Sequence, residues 1–276
     1  MSKSLPAVKR AFVDGEFGQI HYRIAGQISS LPAIVCLHMV SKSSRLFDNV
    51  MPLLAQSRLV IAIDFPGYGE SSPPPDESLA TIDNYALAVW QVLDSLQINY
   101  VDFIGYHTGA MVSVCASHYH PHKVSKVINI SAPVFTEQEV INFCTAYSPI
   151  LLDEAGSRFR IMWERIIENR GPGMTLQMCA RSLAENLRGG DVYEWGHMAA
   201  FHYAKEYIEQ VQILESPLII MNLNDDLHEH SKRIDTYIRL GFRKDYVCWG
   251  TGFLDAFTQE VSDEMLMLLN TDIKSL

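Results

Sequence analysis

Hydrophobic and polar positions change rhythm several times along the chain. Gly18-Gln19-Ile20-His21-Tyr22-Arg23-Ile24 alternates, which predicts a half-buried strand. Ala33-Ile34-Val35-Cys36-Leu37 and Leu59-Val60-Ile61-Ala62-Ile63 are unbroken apolar runs, the pattern of parallel strands covered on both faces. Between them Leu46, Val50, Leu53 and Leu54 recur at helical spacing. An amphipathic helix is predicted from Ile82 to Ile98, with Tyr85, Ala86, Ala88, Val89, Val92, Leu93 and Leu96 on its apolar face. A strand follows at Tyr100–Ile104, then a helix-like run at Ala110–Ala116, then another strand at Val124–Ile130. From about Thr136 to Gln212 the rhythm is helical, with loops at Gly171-Pro172-Gly173 and Gly189-Gly190. Strand runs resume at Pro217–Met221 and Tyr246–Trp249, and a last helix passes through Val261, Met265, Leu266 and Leu269. Alternating strands and helices predict an α/β fold with a doubly wound, mostly parallel sheet. Residues 1–133 and 213–276 are expected to form the core. Residues 134–212 are expected to form a helical cap over the carboxyl ends of the strands, where such sheets bind ligands.

Composition narrows the function classes. A length of 276 residues with 48% apolar and 20% charged residues suits one large domain, or one domain with an insertion. A net charge of −10 argues against nucleic-acid partners and against anionic membranes. Cys36, Cys115, Cys144, Cys179 and Cys248 are odd in number and form no Cys-x-x-Cys pair, which points to reduced thiols. Met1–Pro6 is followed by no apolar stretch of the kind that exports a chain, and no run is long enough to span a bilayer. The expectation is a cytoplasmic protein acting on a small molecule, without cofactor or metal. Oligomeric state is left open, with a homodimer in view.

The chemistry concentrates at Gly105-Tyr106-His107-Thr108-Gly109. A strand leads into this stretch and a helix leads out, so the chain must turn sharply at His107. Histidine tolerates positive φ better than most side chains, and the flanking glycines let strand and helix pass closely. This is the Gly-x-nucleophile-x-Gly shape of a nucleophile elbow, with imidazole in place of a hydroxyl.

Three further stretches complete a pattern: Leu37-His38-Met39-Val40, Asp64-Phe65-Pro66-Gly67-Tyr68-Gly69-Glu70-Ser71, and Pro217 through Asp226. Over essentially its whole length the chain resembles the α/β-hydrolase superfamily, in a bacterial branch with histidine at the elbow. The resemblance implies an eight-stranded sheet and an oxyanion hole from the backbone N–H groups of Thr108 and Val40. It also implies an acid after the seventh strand, which falls on Asp226, with Asp225 as the alternative. Two family residues are missing. His107 replaces the serine, aspartate or cysteine of the elbow. The histidine expected after the eighth strand is absent, because Gly250-Thr251-Gly252-Phe253-Leu254-Asp255 stands there and no histidine follows His230.

Several roles remain open for His107: general base, nucleophile through an acyl-imidazole, or anion binder. The base is preferred, since imidazole titrates near neutrality and an acid could orient it. His38, Met39, Tyr106, His197 and His202 are candidate substrate contacts, with His38 also a candidate organiser of its own loop and His197 or His202 a candidate substitute base. His118, His120 and His122 end a helix away from the active face, so no metal is expected there. Three functions follow: hydrolysis of a small apolar ester, lactone or other carbonyl compound; lyase, cofactor-free oxygenase or cyclising chemistry in the same fold; or ligand binding without catalysis.

Overall fold

A computed structural model describes residues 4–146 and 149–273 of the chain. Eight strands form one sheet: β1 (Lys9–Gly15), β2 (Gly18–Ala25), β3 (Ala33–Leu37), β4 (Val60–Ile63), β5 (Val101–Tyr106), β6 (Val124–Ile130), β7 (Leu218–Leu223) and β8 (Gly241–Tyr246). Their spatial order is β1-β2-β4-β3-β5-β6-β7-β8. The hairpin β1–β2 and the β2–β4 pair are antiparallel, and β4 through β8 pair in parallel. Every residue of β3, β4, β5 and β7 is buried, as their unbroken apolar runs require.

Eleven α-helices lie among the described residues: α1 (Met51–Leu54), α2 (Ile82–Ser95), α3 (Thr108–Tyr119), α4 (Glu137–Ala146), α5 (Ser157–Glu168), α6 (Leu176–Arg188), α7 (Trp195–His202), α8 (Ala204–Ile213), α9 (His228–Lys232), α10 (Phe253–Ala256) and α11 (Thr258–Asn270). Most of them pack into two apolar layers on the sheet, while α5 and α6 join in a smaller cluster around Met178 and Cys179. One layer buries α2, α3 and α8 side chains such as Val89, Met111 and Tyr207. The other buries Met51, Leu54, Phe253, Val261 and Met265 of α1, α10 and α11. Thr81 starts α2 by accepting the Asn84 backbone N–H at 3.1 Å, and Gln97 at φ 58° ends the segment. Helices α4 to α8 all lie between β6 and β7, within the segment expected to be helical.

Two expectations change. The last strand is Gly241–Tyr246, not Tyr246–Trp249, and β1 carried no strand signal strong enough to name. Both are edge strands with polar, partly exposed residues, so neither shows the apolar run of a central strand. The helical spacing at 46–54 divides into a 3-10 turn at Ser44–Phe47 and the short α1. Pro52 explains the break, because its ring fits only the first turn of a helix.

Candidate active site

The carboxyl ends of β3, β5, β6 and β7 converge on one place. Strand β5 ends at Tyr106 and α3 begins at Thr108, so His107 makes the whole reversal, at φ 48° and ψ −110°. Such a backbone costs about 1–3 kcal/mol for a non-glycine residue and needs support from its surroundings. Support comes from the His107 N–H, which donates to the Ile130 carbonyl at 3.0 Å, and from the His107 carbonyl, which accepts from Ala110 N–H at 2.8 Å. The glycines on either side have steric reasons. A Cβ on Gly105 would lie 2.2 Å from the Gly109 carbonyl oxygen, and one on Gly109 would lie 2.1 Å from the Leu37 carbonyl oxygen.

The imidazole of His107 points toward β7. Its Nε2 lies 3.1 Å from Asp225 Oδ2, and the Asp225 carboxylate is fully buried. Ser131 Oγ donates to the same oxygen at 2.7 Å, and Leu227 N–H donates to Asp225 Oδ1 at 3.0 Å. Asp225 is thus fixed from three sides. Asp226, placed first by the family spacing, is instead 3.9 Å from Nε2 and 61% exposed. The reason is a turn: the Asp225 side chain folds back to hold Leu227 N–H, which sends the next side chain outward.

Burial lowers the His107 pKa, but the charge and hydrogen bond of Asp225, with a smaller push from Asp226, raise it above the usual 6.5 overall. Burial raises the Asp225 pKa, yet His107, Ser131 and the Leu227 N–H bring it below the ordinary carboxylate value of 3.8. Around them, Tyr106 packs its ring 4.6 Å from the His107 ring, nearly perpendicular. Burial, followed by the nearby charges of Asp225 and Asp226, pushes the Tyr106 hydroxyl well above its usual value. Thr108 and Val40 are buried, and Thr108 N–H is one of the free donors at the start of α3.

The candidate substrate contacts separate. His38 is fully buried, and both ring nitrogens are committed: Nδ1 donates to the Met39 carbonyl at 2.9 Å and Nε2 accepts from Phe65 N–H at 3.0 Å. It therefore organises its loop and does not face a ligand. His202 is exposed and lines a different cavity, with Thr81, Trp195 and Glu206. His197 is on the site side. Burial above all, joined by the nearby charges of His107, Arg165 and Lys42 and opposed by a hydrogen bond to the Tyr193 backbone, pulls its pKa to about 4. Met39 and Tyr106 line a cavity of about 240 Å³ between the β3 loop, α6 and the loop after β8.

That last loop carries Thr251 and Gly252 where the superfamily has its histidine. There is little room for one. Gly171 N–H donates to the Thr251 carbonyl at 3.2 Å, and a Cβ on Gly252, at φ +85°, would lie 2.8 Å from Met174 Sδ. The other histidines are used elsewhere. His120 packs on Trp90 at 4.5 Å, His228 Nδ1 donates to the Leu223 carbonyl at 2.7 Å, and His230 sits 3.5 Å from Glu139. Among the described residues only His107, Asp225 and Asp226 bring three potential metal-ligand atoms together, within 4.8 Å of one another.

The β3 loop is fastened to α6 by polar contacts. Lys42 Nζ donates to the Ser182 carbonyl at 3.0 Å, to Ser182 Oγ at 2.6 Å and to Asn186 Oδ1. Ser43 Oγ donates to Glu185 at 2.5 Å, and Arg45 pairs with Glu185 at 3.3 Å. Sequence patterns gave no sign of this bridge, because its partners lie about 140 residues apart.

Comparison with known proteins agrees with the topology. Residues 32–149 match the family model described as alpha/beta hydrolase fold. A serine hydrolase-like protein of Danio rerio is 30% identical over 129 residues, covering 47% of this chain and 39% of that protein. An uncharacterized hydrolase of Bacillus subtilis, YugF, is 29% identical, covering 46% of this chain and 45% of its own. The chain thus spans less than half the length of either relative. Among solved structures, Cfl2 from Burkholderia cenocepacia superposes with a TM-score of 0.76 at 16% identity, covering 95% of this chain and 96% of that one. The enol-lactonase from Burkholderia xenovorans LB400 superposes with a TM-score of 0.75 at 12% identity, covering 95% and 100%. Strand order, sharp turn and matched segment agree: this chain is an α/β-hydrolase-fold protein.

Proposed function

We propose that the protein is a hydrolase whose general base is His107, oriented by Asp225, acting on a small carbonyl compound such as an ester or lactone beneath residues 134–212 as a cap. The observation that carries this reading is the hydrogen bond between the elbow imidazole and the buried carboxylate, at 3.1 Å. In this reading the Nε2–H donates to Asp225, so Nδ1 holds the lone pair. Nδ1 is bonded to Cγ, close to the position a serine hydroxyl would take on this turn. Its neighbour Cβ crowds it, which disfavours acylation of the ring and favours proton abstraction from water. Backbone N–H groups of Thr108 and Val40 are the donors for the developing oxyanion. Neutral His197 is a polar neighbour suited to hold the substrate or the water.

The steps balance simply. Water attacks the carbonyl carbon as His107 Nδ1 takes its proton. The tetrahedral oxyanion collapses, and the imidazolium returns the proton to the leaving oxygen. The loss of a hydroxyl at the elbow also favours a second reading, in which the same base removes a proton from carbon and no water is consumed. Incorporation of labelled water oxygen into product separates the two. The direct test is His107→Ala against a panel of short esters, lactones and diketones. Turnover should fall by about 10²–10⁴-fold, and unchanged turnover overturns the assignment.

A further inference from the structure

The cavity that Tyr106 lines beside the elbow contains six charged side chains, and one of them, Lys42, has no carboxylate paired with it among the described residues. Lys42 follows the oxyanion loop and lines this space with Met39, Tyr106, Arg181 and Ser182. Its ammonium is held by three neutral acceptors: the Ser182 carbonyl, Ser182 Oγ and Asn186 Oδ1. Among the described residues no carboxylate lies within 4.0 Å of it. The other charges of the cavity are matched. Arg45 pairs with Glu185, Asp48 pairs with Arg23 at 3.1 Å, and Asp255 accepts from Asn49 at 2.7 Å while Arg181 reaches it only at 3.8 Å.

An ammonium sequestered among neutral hydrogen-bond partners, with Glu185 acting on it only from beyond pairing distance, is costly unless an anion joins it. Lys42 and the loosely paired Arg181 flank Ser182, whose hydroxyl can turn between acceptor and donor. Met39, Leu46, Met174 and Met178 complete an apolar wall on the same cavity. We propose that this is a carboxylate subsite, and that the substrate is a small carbonyl compound with an apolar body and a terminal carboxylate held by Arg181 and the Ser182 hydroxyl beside the charge of Lys42. The proposal deepens the hydrolase reading and rests on the elbow cleft being the substrate site. Burial draws the Lys42 pKa down to about 7, against the pull of Glu185, as expected for an ammonium awaiting a counter-charge. His197 feels the charges of both His107 and Lys42, so it stands within electrostatic reach of the base and of the subsite.

Titration calorimetry on the full chain tests this with 4-oxopentanoate and 5-hydroxypentan-2-one, which share the ketone and differ in charge, and neither of which has an ester bond to hydrolyse. The wild-type chain should bind the acid about tenfold or more tightly than the alcohol. Lys42→Met should erase that preference, Lys42→Arg should keep part of it, and Arg181→Gln should weaken it. His107→Ala should lose turnover yet keep the carboxylate preference, which separates failure of the subsite from failure of the base. Because Lys42 also bridges to α6, melting curves accompany each variant. If Lys42→Met does not fold, Arg181→Gln and the fall of acid affinity with added salt decide the matter. Equal binding of acid and alcohol by the wild type, no binding of the acid, or a folded Lys42→Met with its preference intact overturns the proposal.

Discussion

Under the proposed mechanism, His107 does at one position what a triad normally divides between two. It occupies the turn that presents a reacting group, and it carries the imidazole that an acid orients. Its raised pKa sets a pH signature. A base must be neutral, so turnover should rise with pH through a value above 6.5. Asp225→Asn removes the charge and hydrogen bond that raise it. The limb should then move to lower pH, and the rate should fall by about a hundredfold or more as the tautomer is lost. Asp226→Asn, at an exposed residue 3.9 Å away, should move the limb slightly and leave the plateau within about threefold. The pH–rate profiles of the three proteins check this. Stability has the opposite sign at the upper end. A raised histidine pKa stabilises the fold fully below its unfolded value and loses that contribution as pH rises through the folded value. The depressed Asp225 pKa adds stability above 3.8 that is lost as pH falls through its folded value. The pair therefore supports the fold between these limits and releases it where the base becomes active. The same atoms could hold a divalent ion. Under the base mechanism, exhaustive chelation leaves turnover unchanged. Loss of turnover restored by one metal would transfer the water activation to that metal.

The elements that position this residue were legible where burial imposes a period. Central strands β3, β4, β5, β6 and β7 show as apolar runs, and the elbow shows as a glycine frame. The edge strand β8 did not, because Arg243, Lys244 and Asp245 are free to be polar on a half-exposed edge. The carboxylate beside His107 is the alternative, Asp225, and not Asp226, for a related reason: sequence spacing locates a turn but does not say which of two adjacent carboxylates folds back onto Leu227 N–H. His38 showed only its residue type, and its partners, the Met39 carbonyl and Phe65 N–H, are fixed by loops that meet in space, while His202 at the end of α7 faces another cavity. The glycine frame yields a contrast at this scale. Gly109→Ala drives a methyl group into the Leu37 carbonyl and should cost about 3 kcal/mol or more. Gly190→Ala, at φ +51° with nothing within 4 Å, should cost only about 1 kcal/mol from backbone strain. Urea midpoints at constant slope measure both.

Across the whole molecule, chemistry and stability sit at opposite ends of the sheet. The carboxyl ends of β5 and β7 hold His107 and Asp225, while the amino ends carry polar anchors buried in the core. Lys126, near the start of β6, donates to the carbonyls of Leu268, Leu269 and Thr271 at 3.1, 2.7 and 2.7 Å. A lysine there neutralises the negative end of α11 and satisfies carbonyls that the helix leaves free. Beside it, Arg58 pairs with Asp102 at 2.8 Å and donates to Asn270 at 2.9 Å, tying β4 and β5 to the same helix end. Replacing Lys126 with Met keeps most of the packing volume but strips three buried carbonyls of their donor. The loss should be about 2–4 kcal/mol, within the range for unsatisfied buried groups. Because α11 packs its Val261 and Met265, with Phe253 of α10, in the layer against the sheet, its loosening should lower the melting temperature cooperatively. Turnover per folded molecule should stay unchanged, since no step at the elbow passes through this end. His107→Ala should give the mirror image, with turnover lost and melting nearly retained. Melting curves and active-site-normalised rates on both variants would expose any coupling, and a Lys126→Met protein that is stable but slow would break the division between the two ends.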